Sequence, residues 1–592
     1  FLELKAKIDP EFLDSWSESH FVFADVPYRL ASWEKTLADP RDTVEFDQER
    51  HDQLLAKKEE IGGDGLLLCD EGGEIIRVGL IEKLLIPAMA KLGQLIPDGG
   101  IWMNAQKPEW NDANNALAGN GLSVVTTGYL LRYLRFLQRS IQTCRLTEFS
   151  VSKATQQAVQ RLAEVLGDPR WKQNGPVSSN DRFELAQANG LVMQDYRDSV
   201  RGEICHVGSL AASGILSFLS HAIDAVEGVL QSNRRPDGLW HAYNVLDARP
   251  GIPEMKVQNL QLMLEGQVAI LSSGFLENET AVSLLEDLSK SDLRSKRHPT
   301  YLLYPDRELA GFDELNRIPD ADLRGNQLLA SMAKKGDERL VYEDGTGAWR
   351  FNETLVNGYA LTDCLTQIGD LSLENRTAIE KIYEKVFSHH SFTGRSGSMF
   401  GYEGLGCVYW HMVSKLMLAA QEVALAVGKS GKSSDELKSR SVAAYYAVQR
   451  GLGFRQTPQS YGAFPAEPYS HSQGERGAQQ PGLTGQVKEG LLCRLGELGI
   501  DFEDGQLSFR PHLLRAAEFV DGVLSFTHAR TPLQYESCED LETPKATVFK
   551  NDGQELVFSN GVLDIETSSS ILFNRGMVAK VIIQIPSNWL IF

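Results

Sequence analysis

The sequence has no excess of basic residues. Its 592 residues include 59 Lys and Arg against 79 Asp and Glu, which gives a formal net charge of −20. Nucleic acids and anionic membrane surfaces are bound through clusters of positive charge. The charge balance therefore argues against a nucleic-acid partner and a membrane partner, although it leaves room for a local basic pocket that binds a small anion.

Paired cysteines and long apolar runs are also missing. An odd, dispersed set of cysteines fits reduced thiols better than a disulfide framework, which predicts a cytoplasmic location. No apolar run approaches the ~18 residues of a membrane span, and no signal peptide is visible. Because the chain starts at Phe1 rather than Met, we expect that a leader or a longer N-terminal region is missing. The cysteines are Cys69, Cys144, Cys205, Cys364, Cys407, Cys493 and Cys538.

Several catalytic and metal-binding motifs are absent. There is no His-Glu-x-x-His, no Cys-x-x-Cys and no acidic calcium loop, so no metal is expected. There is no P-loop, no convincing dinucleotide fingerprint and no Gly-x-Ser-x-Gly elbow. These absences weigh against nucleotide-dependent enzymes and serine hydrolases, and no cofactor is expected.

The pattern of apolar residues divides the chain into three parts. Residues 1–78 are charge-rich and predicted to be irregular, and we interpret them as the remnant of a larger N-terminal region. From 79 to 499 apolar residues recur at three- and four-residue steps, which predicts a large mainly α domain with long loop insertions. From 500 to 592 short strands alternate with turn residues, which predicts a small β domain. Helices are predicted near 80–92, 121–138, 154–166, 208–232, 257–274, 278–290, 356–369, 374–388, 406–427, 434–451 and 484–498, and strands near 506–511, 523–527, 546–549, 556–558, 562–565 and 578–585.

Polar and aromatic residues are concentrated in Lys107-Pro-Glu-Trp-Asn-Asp-Ala-Asn-Asn115. Trp110 offers a flat apolar face against which a sugar ring can stack, and the neighbouring amides can hold several hydroxyls. A partly desolvated acid beside it can stay protonated and donate to a leaving oxygen, as glycosidic bond cleavage requires. The alternative is that the Asn and Asp residues cap a helix, and on composition alone this alternative is favoured over catalysis.

A second candidate segment is Gly401-Tyr-Glu-Gly-Leu-Gly-Cys-Val-Tyr-Trp-His411, which leads into an apolar helix. Its glycines let the backbone approach a ligand closely, with Glu403 ahead of two aromatics and His411. The alternative is a Gly-rich helix start in which Glu403 favours the helix dipole and His411 is satisfied in the core.

A third candidate lies in the long polar stretch from Tyr469 to Gln486. Pro481, Gly482, Thr484 and Gly485 at a helix start would expose free N–H groups and a hydroxyl, which is an arrangement that binds anions. The alternative is a polar surface loop capped by Thr484. His471 and Arg476 could add positive charge.

Three lesser segments mix aromatic and charged residues: 194–198, 304–307 and 348–353. Sugar subsites often have this composition, but a surface salt bridge is the simpler interpretation of each.

In this order, the segments resemble those of glycoside hydrolase family 94, the cellobiose and chitobiose phosphorylase group. Glu109-Trp-Asn-Asp-Ala-Asn-Asn115 is similar to the family's Asp-Trp-Asn-Asp-Gly-Met-Asn motif, and Glu403–His411 to its Glu-Asn-Gly-Gly-x-Tyr-x-His segment. Gly482-Leu-Thr-Gly-Gln486 is similar to the Ser-Gly-Thr-Ala-Gly turn. Gly505-Gln-Leu-Ser-Phe-Arg-Pro511 looks like the strand that opens the family's C-terminal β domain. The stretch between the first two segments is much longer here than in typical members.

The resemblance implies a fold and roles for residues. It implies an (α/α)6 barrel followed by a β domain, and a homodimer. Asp112 would be the general acid, Glu403 would lie in the active site, and His411 and Thr484 would contact phosphate. The predicted site residues are Asp112 and Glu403 for catalysis; Glu109, Trp110, Asn111, Asn115, Tyr402 and Tyr409 for substrate; and His411, His471, Arg476, Gly482, Thr484 and Gly485 for phosphate.

Three functions follow as alternatives. The resemblance favours phosphorolysis, with inversion, of a β-linked gluco-type disaccharide or oligosaccharide, with inorganic phosphate as cosubstrate. The second is an inverting hydrolase on the same barrel, in which Glu403 activates water. The third is a non-catalytic carbohydrate-binding protein. The long insertions could build subsites for longer chains.

Overall fold

The protein is described by a computed structural model that is dominated by helices. It describes residues 2–9, 14, 21–70, 72–104, 117, 119–173, 175–203, 206–296, 299–305, 312–369, 371–387, 408–455, 457, 487–573 and 575–591. These residues form two compact units. The larger unit takes the described parts of Phe1–Lys107, Ala118–Pro305 and Val408–Phe592, and the smaller takes those of Pro108–Leu117 and Asp306–Cys407.

Most long helices lie where apolar periodicity predicts them, so the chain is mainly α. The buried side of Val124–Thr143, for example, carries leucines at three- and four-residue steps, and Ser123 caps its first turn by accepting from the Thr126 N–H. The helices of the larger unit are Leu2–Ile8, Trp33–Ala38, Gln48–Ile61, Leu80–Leu92, Val124–Thr143, Lys153–Leu166, Ser179–Glu203, Ala212–Ser232, Leu264–Ser272, Asn278–Lys290, Trp410–Lys429, Asp435–Gly451, Val487–Glu497 and Ile565–Leu572.

One long helix was not predicted, and two begin later than predicted. The 25-residue helix Ser179–Glu203 has Asn189 and Gly190 on its buried side, so its apolar pattern is interrupted. Residues 208–211 and 257–259, predicted as helix starts, are in strands, because each pairs with a neighbouring strand.

Two central helices, Val124–Thr143 and Leu264–Ser272, pack together and run in the same direction. Arg132 donates to the main-chain oxygen of Ser272, 140 positions later, at 3.2 Å. One turn earlier, a Cβ at Gly128 would lie 3.1 Å from the main-chain oxygen of Ala269, 141 positions later. Because this offset stays nearly constant along both helices, they are parallel.

The helices Trp410–Lys429 and Val487–Glu497 are also parallel. Gln421 donates through Nε2 to the carbonyl oxygen of Cys493 at 2.6 Å. Lys429 donates to a carboxylate oxygen of Asp501 at 2.5 Å. Because Lys429 is the last residue of the first helix and Asp501 lies just past the end of the second, the C-terminal ends of the two helices lie together and the helices run in the same direction.

The two pairs of helices share one direction as well. Leu264–Ser272 packs against Trp410–Lys429, and Arg132 donates both to the last carbonyl of the first and to Glu422 of the second. Glu277, which follows Leu264–Ser272, and Ser430, which follows Trp410–Lys429, line one pocket. The four helices therefore start at one common end of the larger unit.

A five-stranded antiparallel sheet lies where two of these helices start. Its order is Met255–Asn259, Tyr243–Ala248, Gly121–Ser123, Gly100–Trp102, Leu95–Ile96. Gly121–Ser123 runs directly into Val124–Thr143. Residues 103–120 therefore connect two neighbouring strands of one sheet.

The N-terminal part is more regular than predicted. The 14-residue helix Gln48–Ile61 starts at Asp47, which accepts from the Arg50 N–H at 2.9 Å. Short strand pairs surround it, so residues 21–78 are not irregular. The charged composition hid this helix because almost all of it is exposed. The strand pairs are Phe21–Val22 with Arg77–Val78 and Tyr28–Leu30 with Val44–Phe46.

The C-terminal region is a β domain with its own buried cluster. In its five-stranded sheet, Thr531–Cys538 is parallel to Val578–Pro586 and the other neighbours are antiparallel. Residues 562–565, predicted as a strand, instead make one bridge, and Asp564 caps the helix Ile565–Leu572. The sheet order is Val523–His528, Thr531–Cys538, Val578–Pro586, Lys545–Lys550, Glu555–Phe558, and Ile500–Glu503 pairs separately with Gln506–Phe509.

Gly499 makes the turn from the last central helix into this domain. Its φ is +66°, and a Cβ there would lie 2.1 Å from the carbonyl carbon of Arg510. Both the left-handed backbone and the close approach require glycine. The predicted boundary at 499–500 falls at this turn.

The smaller unit occupies part of the stretch predicted as loop insertions. It has a hydrophobic core of its own, which includes Phe351, Ile379 and Tyr383. Val341–Glu343 and Trp349–Phe351 pair as a hairpin. The helices predicted near 356–369 and 374–388 are confirmed, and the rest of this stretch, predicted as loops, contributes to the same folded unit. Its helices are Phe312–Leu315, Asp320–Gly325, Gln327–Lys335, Gly358–Ile368 and Leu373–Phe387.

One helix, Ala212–Ser232, is long and apolar enough by composition to cross a membrane, with a mean hydropathy of 1.2, although no such run was expected. Its side chains Phe218, Leu219 and Val226 are fully buried in the main core cluster. Half of its most apolar window is buried in the molecule. The helix thus serves in the described fold as a core helix.

Candidate active site

The segment that contains Glu109, Trp110, Asn111, Asp112 and Asn115 lies outside the described residues, but both of its ends are described. Trp102 is buried and donates through Nε1 to the carbonyl oxygen of Gly119 at 2.7 Å. The Met103 N–H donates to the carbonyl oxygen of Gly121 at 2.8 Å, and the Gly119 N–H donates to the carbonyl oxygen of Met103 at 2.7 Å. The segment therefore leaves and rejoins the sheet at adjacent points.

A second set of contacts holds the first end of this segment. The side chain of Asn104 is buried and donates to Gln94 Oε1 at 2.6 Å. The main-chain carbonyl oxygen of Asn104 accepts from the hydroxyl of Thr43. Since Thr43 belongs to the N-terminal part, that part buttresses the strand end from which the candidate segment starts.

Buried polar side chains also fix the sheet beneath the segment. Arg182 is 7% exposed and donates to Asp98 at 2.6 Å and to the carbonyl oxygens of Pro97 and Met255. Asn244 donates to the carbonyl oxygen of Gly99 at 2.7 Å. Such contacts hold the turn at Asp98, whose φ is +60°, against the Ser179–Glu203 helix.

A carboxylate that the sequence analysis missed lies where two central helices start. Glu265, in the first turn of Leu264–Ser272, is 5% exposed and accepts from the Tyr243 hydroxyl at 2.6 Å. The Val124 N–H donates to Ala242 beside this pair. The signal in the sequence was a single charged residue inside the apolar run 260–271.

The second candidate segment is described only from Val408 onward, so Tyr402 and Glu403 lie outside the described residues. Tyr409 is the N-cap residue of Trp410–Lys429, and His411 is in its first turn. Their rings are half-buried, with centroids 5.4 Å apart and planes inclined by 50°. These two predicted residues are therefore adjacent at the start of a central helix.

The third candidate segment, with His471, Arg476, Gly482, Thr484 and Gly485, also lies outside the described residues. The helix that follows it, Val487–Glu497, is one of the four parallel helices described above. Three of the four central helices thus follow a candidate segment in the sequence, the first of them after the strand Gly121–Ser123.

Glu489, in the first turn of this last helix, is a second carboxylate that the sequence analysis missed. It is 1% exposed, and its Oε2 has no hydrogen-bond partner among the residues that the structure describes. Oε1 lies 3.6 Å from the ammonium of the exposed Lys488. Nothing in its sequence context distinguishes it from a favourable first-turn acid.

Of the lesser candidates, two segments contain salt bridges. Arg350 donates to Asp344 at 2.5 Å within the smaller unit, and Arg161 donates to Asp195 at 2.7 Å on exposed helix surfaces. Tyr304 is described, whereas residues 306–307 are not.

Residues 309–390 match the model of the GH149 phosphorylase insertion domain 2. A search of curated proteins finds no match to the chain. The matched range coincides with the described helices of the smaller unit, from Phe312 to Phe387. The match supports a glycoside phosphorylase-type enzyme and agrees with the phosphorylase-type family that the sequence segments resemble.

Proposed function

We propose that this protein is an inverting glycoside phosphorylase that cleaves a β-linked gluco-type disaccharide or oligosaccharide. One observation carries the proposal: three candidate segments each lead into a central helix, and those helices start at the same end of the larger unit. In the sequence, a phosphorylase insertion domain separates the first segment from the second. We further propose that the central helices belong to an (α/α)6 barrel.

In this proposal Asp112 is the general acid. Trp110 stacks on the sugar ring and excludes water from one side of the acid, which raises the pKa of a carboxyl group and keeps it protonated. Asp112 then donates its proton to the glycosidic oxygen as the bond to the anomeric carbon breaks. Glu109, Asn111 and Asn115 hold sugar hydroxyls.

Phosphate attacks the anomeric carbon from the opposite face. A phosphate oxygen forms the new bond to that carbon while the leaving oxygen takes the Asp112 proton, so a β-linkage yields an α-sugar 1-phosphate. No general base is needed, because phosphate is already an anion and requires only donors. Gly482, Thr484 and Gly485 come just before Val487–Glu497 in the sequence, and His411 is in the first turn of Trp410–Lys429, so we propose that they share a phosphate site.

Glu403, Tyr402 and Tyr409 complete the proposed substrate site, and His471 and Arg476 add positive charge for phosphate. In an inverting hydrolase Glu403 would instead activate water. The two reactions differ in cosubstrate and in product.

Phosphate dependence is the test. Purified protein is incubated with a panel of β-linked glucosides with and without inorganic phosphate, and the products are identified by NMR. We expect an α-sugar 1-phosphate that forms only with phosphate. Equal sugar release without phosphate would establish a hydrolase, and glycan binding without turnover would establish a binding protein.

Asp112→Asn is the matched variant. Because the amide cannot donate an acidic proton, we expect turnover to fall by at least about 1,000-fold while glycan binding by calorimetry stays within about threefold. Asp195→Asn, which removes an exposed salt-bridge partner, is the control and should keep wild-type turnover. A D112N protein with wild-type activity would assign the acid to another residue.

A further inference from the structure

The carboxylate of Glu489 is unusual among the buried carboxylates of the larger unit. Glu82 accepts from the Ser152 N–H at 2.9 Å and from the Thr155 hydroxyl at 2.7 Å. Glu497 accepts from the Tyr445 hydroxyl at 2.8 Å and from Gln449 at 2.6 Å. Glu489, equally buried, leaves Oε2 without a partner among the described residues. A buried polar group without a partner destabilises the fold, so its presence needs an explanation.

Its position on the helix directs it towards the neighbouring central helix. Glu489, Cys493 and Glu497 are four residues apart and share one side of Val487–Glu497. The carbonyl of Cys493 accepts from Gln421 on Trp410–Lys429, so this side faces that helix. A helical side chain also leans towards the N-terminal end of its helix.

That end is the one at which the central helices start and which the proposed site occupies. Since the two helices are parallel, the first turn that carries Glu489 and the first turn that carries His411 lie at the same end. An unpartnered, closed-off acceptor at this end points to a ligand that supplies the missing donor.

The chemistry of the carboxylate selects that ligand. A carboxylate accepts hydrogen bonds and donates none. Phosphate is negatively charged, as a carboxylate is, so a contact between phosphate and Glu489 would be repulsive. A sugar hydroxyl is neutral and donates, so it can pair with the free oxygen without repulsion.

We propose that Glu489 is a substrate-binding residue whose Oε2 accepts a hydroxyl of the bound sugar. The inference rests on the proposed carbohydrate site and adds a residue to it. The Oε2 atom has no partner among the described residues of the free protein and would gain one in the complex, so sugar binding would remove an unfavourable buried acceptor. Stability and affinity are therefore expected to change in opposite directions when the charge is removed.

The test compares Glu489→Gln with Glu497→Gln, which alters a paired carboxylate on the same side of the same helix. For E489Q we expect a higher melting temperature without ligand, a glycan KM raised about 10- to 100-fold and an unchanged phosphate KM. The rise in melting temperature that glycan causes in the wild type should be lost. For E497Q we expect a lower melting temperature and an unchanged glycan KM.

Two results are decisive and separable. If E489Q binds glycan with wild-type affinity and keeps the glycan-induced rise in melting temperature, Glu489 is a structural residue and the inference is overturned. If the wild-type protein binds glycan but turns none over, the proposed phosphorylase activity fails, while the same binding measurement still decides the role of Glu489.

Discussion

At the scale of single residues, half-buried histidines link the stability of this protein to pH. His512 stacks on Trp589, with ring centroids 4.2 Å apart. Burial lowers the pKa of His512, and the positive charges of Arg510, Lys438 and Lys429 lower it further. Burial likewise lowers the pKa of His241 and of His528.

These shifts predict a loss of stability in mild acid. A histidine whose pKa is lower in the folded state takes up more protons when unfolded, so its contribution is present above its unfolded pKa, about 6.5, and is lost as the pH falls. We expect the melting temperature to drop between about pH 7.5 and about pH 5.5. His512→Phe, which keeps an aromatic ring against Trp589, should reduce that drop, and an unchanged pH dependence in H512F would contradict the assignment.

At the scale of secondary-structure elements, one glycine decides how the helical body leads into the β domain. Gly499→Ala forces a side chain into left-handed backbone and against Arg510. We expect a loss of roughly 2–5 kcal/mol in the free energy of unfolding. Urea denaturation measures it.

Gly490 provides the matched control for this substitution. It lies inside the helix Val487–Glu497, and a Cβ there meets nothing within 4 Å. Gly490→Ala should therefore stabilise the protein by about 0.5–1 kcal/mol. If both alanines had the same effect, the special role of Gly499 would be wrong.

At the scale of the whole molecule, the described residues form two folded units. A substitution in the core of one unit is therefore expected to destabilise that unit alone. Phe351 is fully buried in the core of the smaller unit. Phe351→Ala should destabilise that unit by about 3–5 kcal/mol. Hydrogen exchange followed by mass spectrometry should show faster exchange in residues 312–387 and unchanged exchange in Val124–Thr143.

The reciprocal variant completes this prediction. Leu134 is fully buried in the main core cluster. Leu134→Ala should speed exchange in Val124–Thr143 and leave residues 312–387 unchanged. Coupled exchange in both variants would show that the two units unfold together.

Local sequence patterns predict much of the fold. Val124–Thr143 was readable because its leucines repeat at helical spacing, and the β domain because its strands alternate between turns. Ser179–Glu203 was missed because Asn189 and Gly190 interrupt its buried side, where Gly190 makes room for the ring of Trp33. Two helices of the smaller unit, predicted near 356–369 and 374–388, are confirmed, but its separate core was missed because that core depends on contacts distant in the sequence.

The candidate site was predictable only in part, for a similar reason. Tyr409 and His411 are neighbours in sequence, so their adjacency followed from the helix start. Glu265 and Glu489 were missed because their importance depends on burial and on partners from other elements, which single-sequence patterns do not encode. The roles of Asp112, Glu403 and Thr484 stay predictions.

The paired ends of the segment between Met103 and Gly119 bear on how such a protein can diversify. Because its ends are tied to each other by main-chain hydrogen bonds, the connection can change in length or sequence without displacing the strands on either side. Doubling the length of a flexible loop costs only about 0.6 kcal/mol. Substitutions in this connection are therefore expected to leave the sheet intact, so their effects on activity can be measured separately from effects on folding.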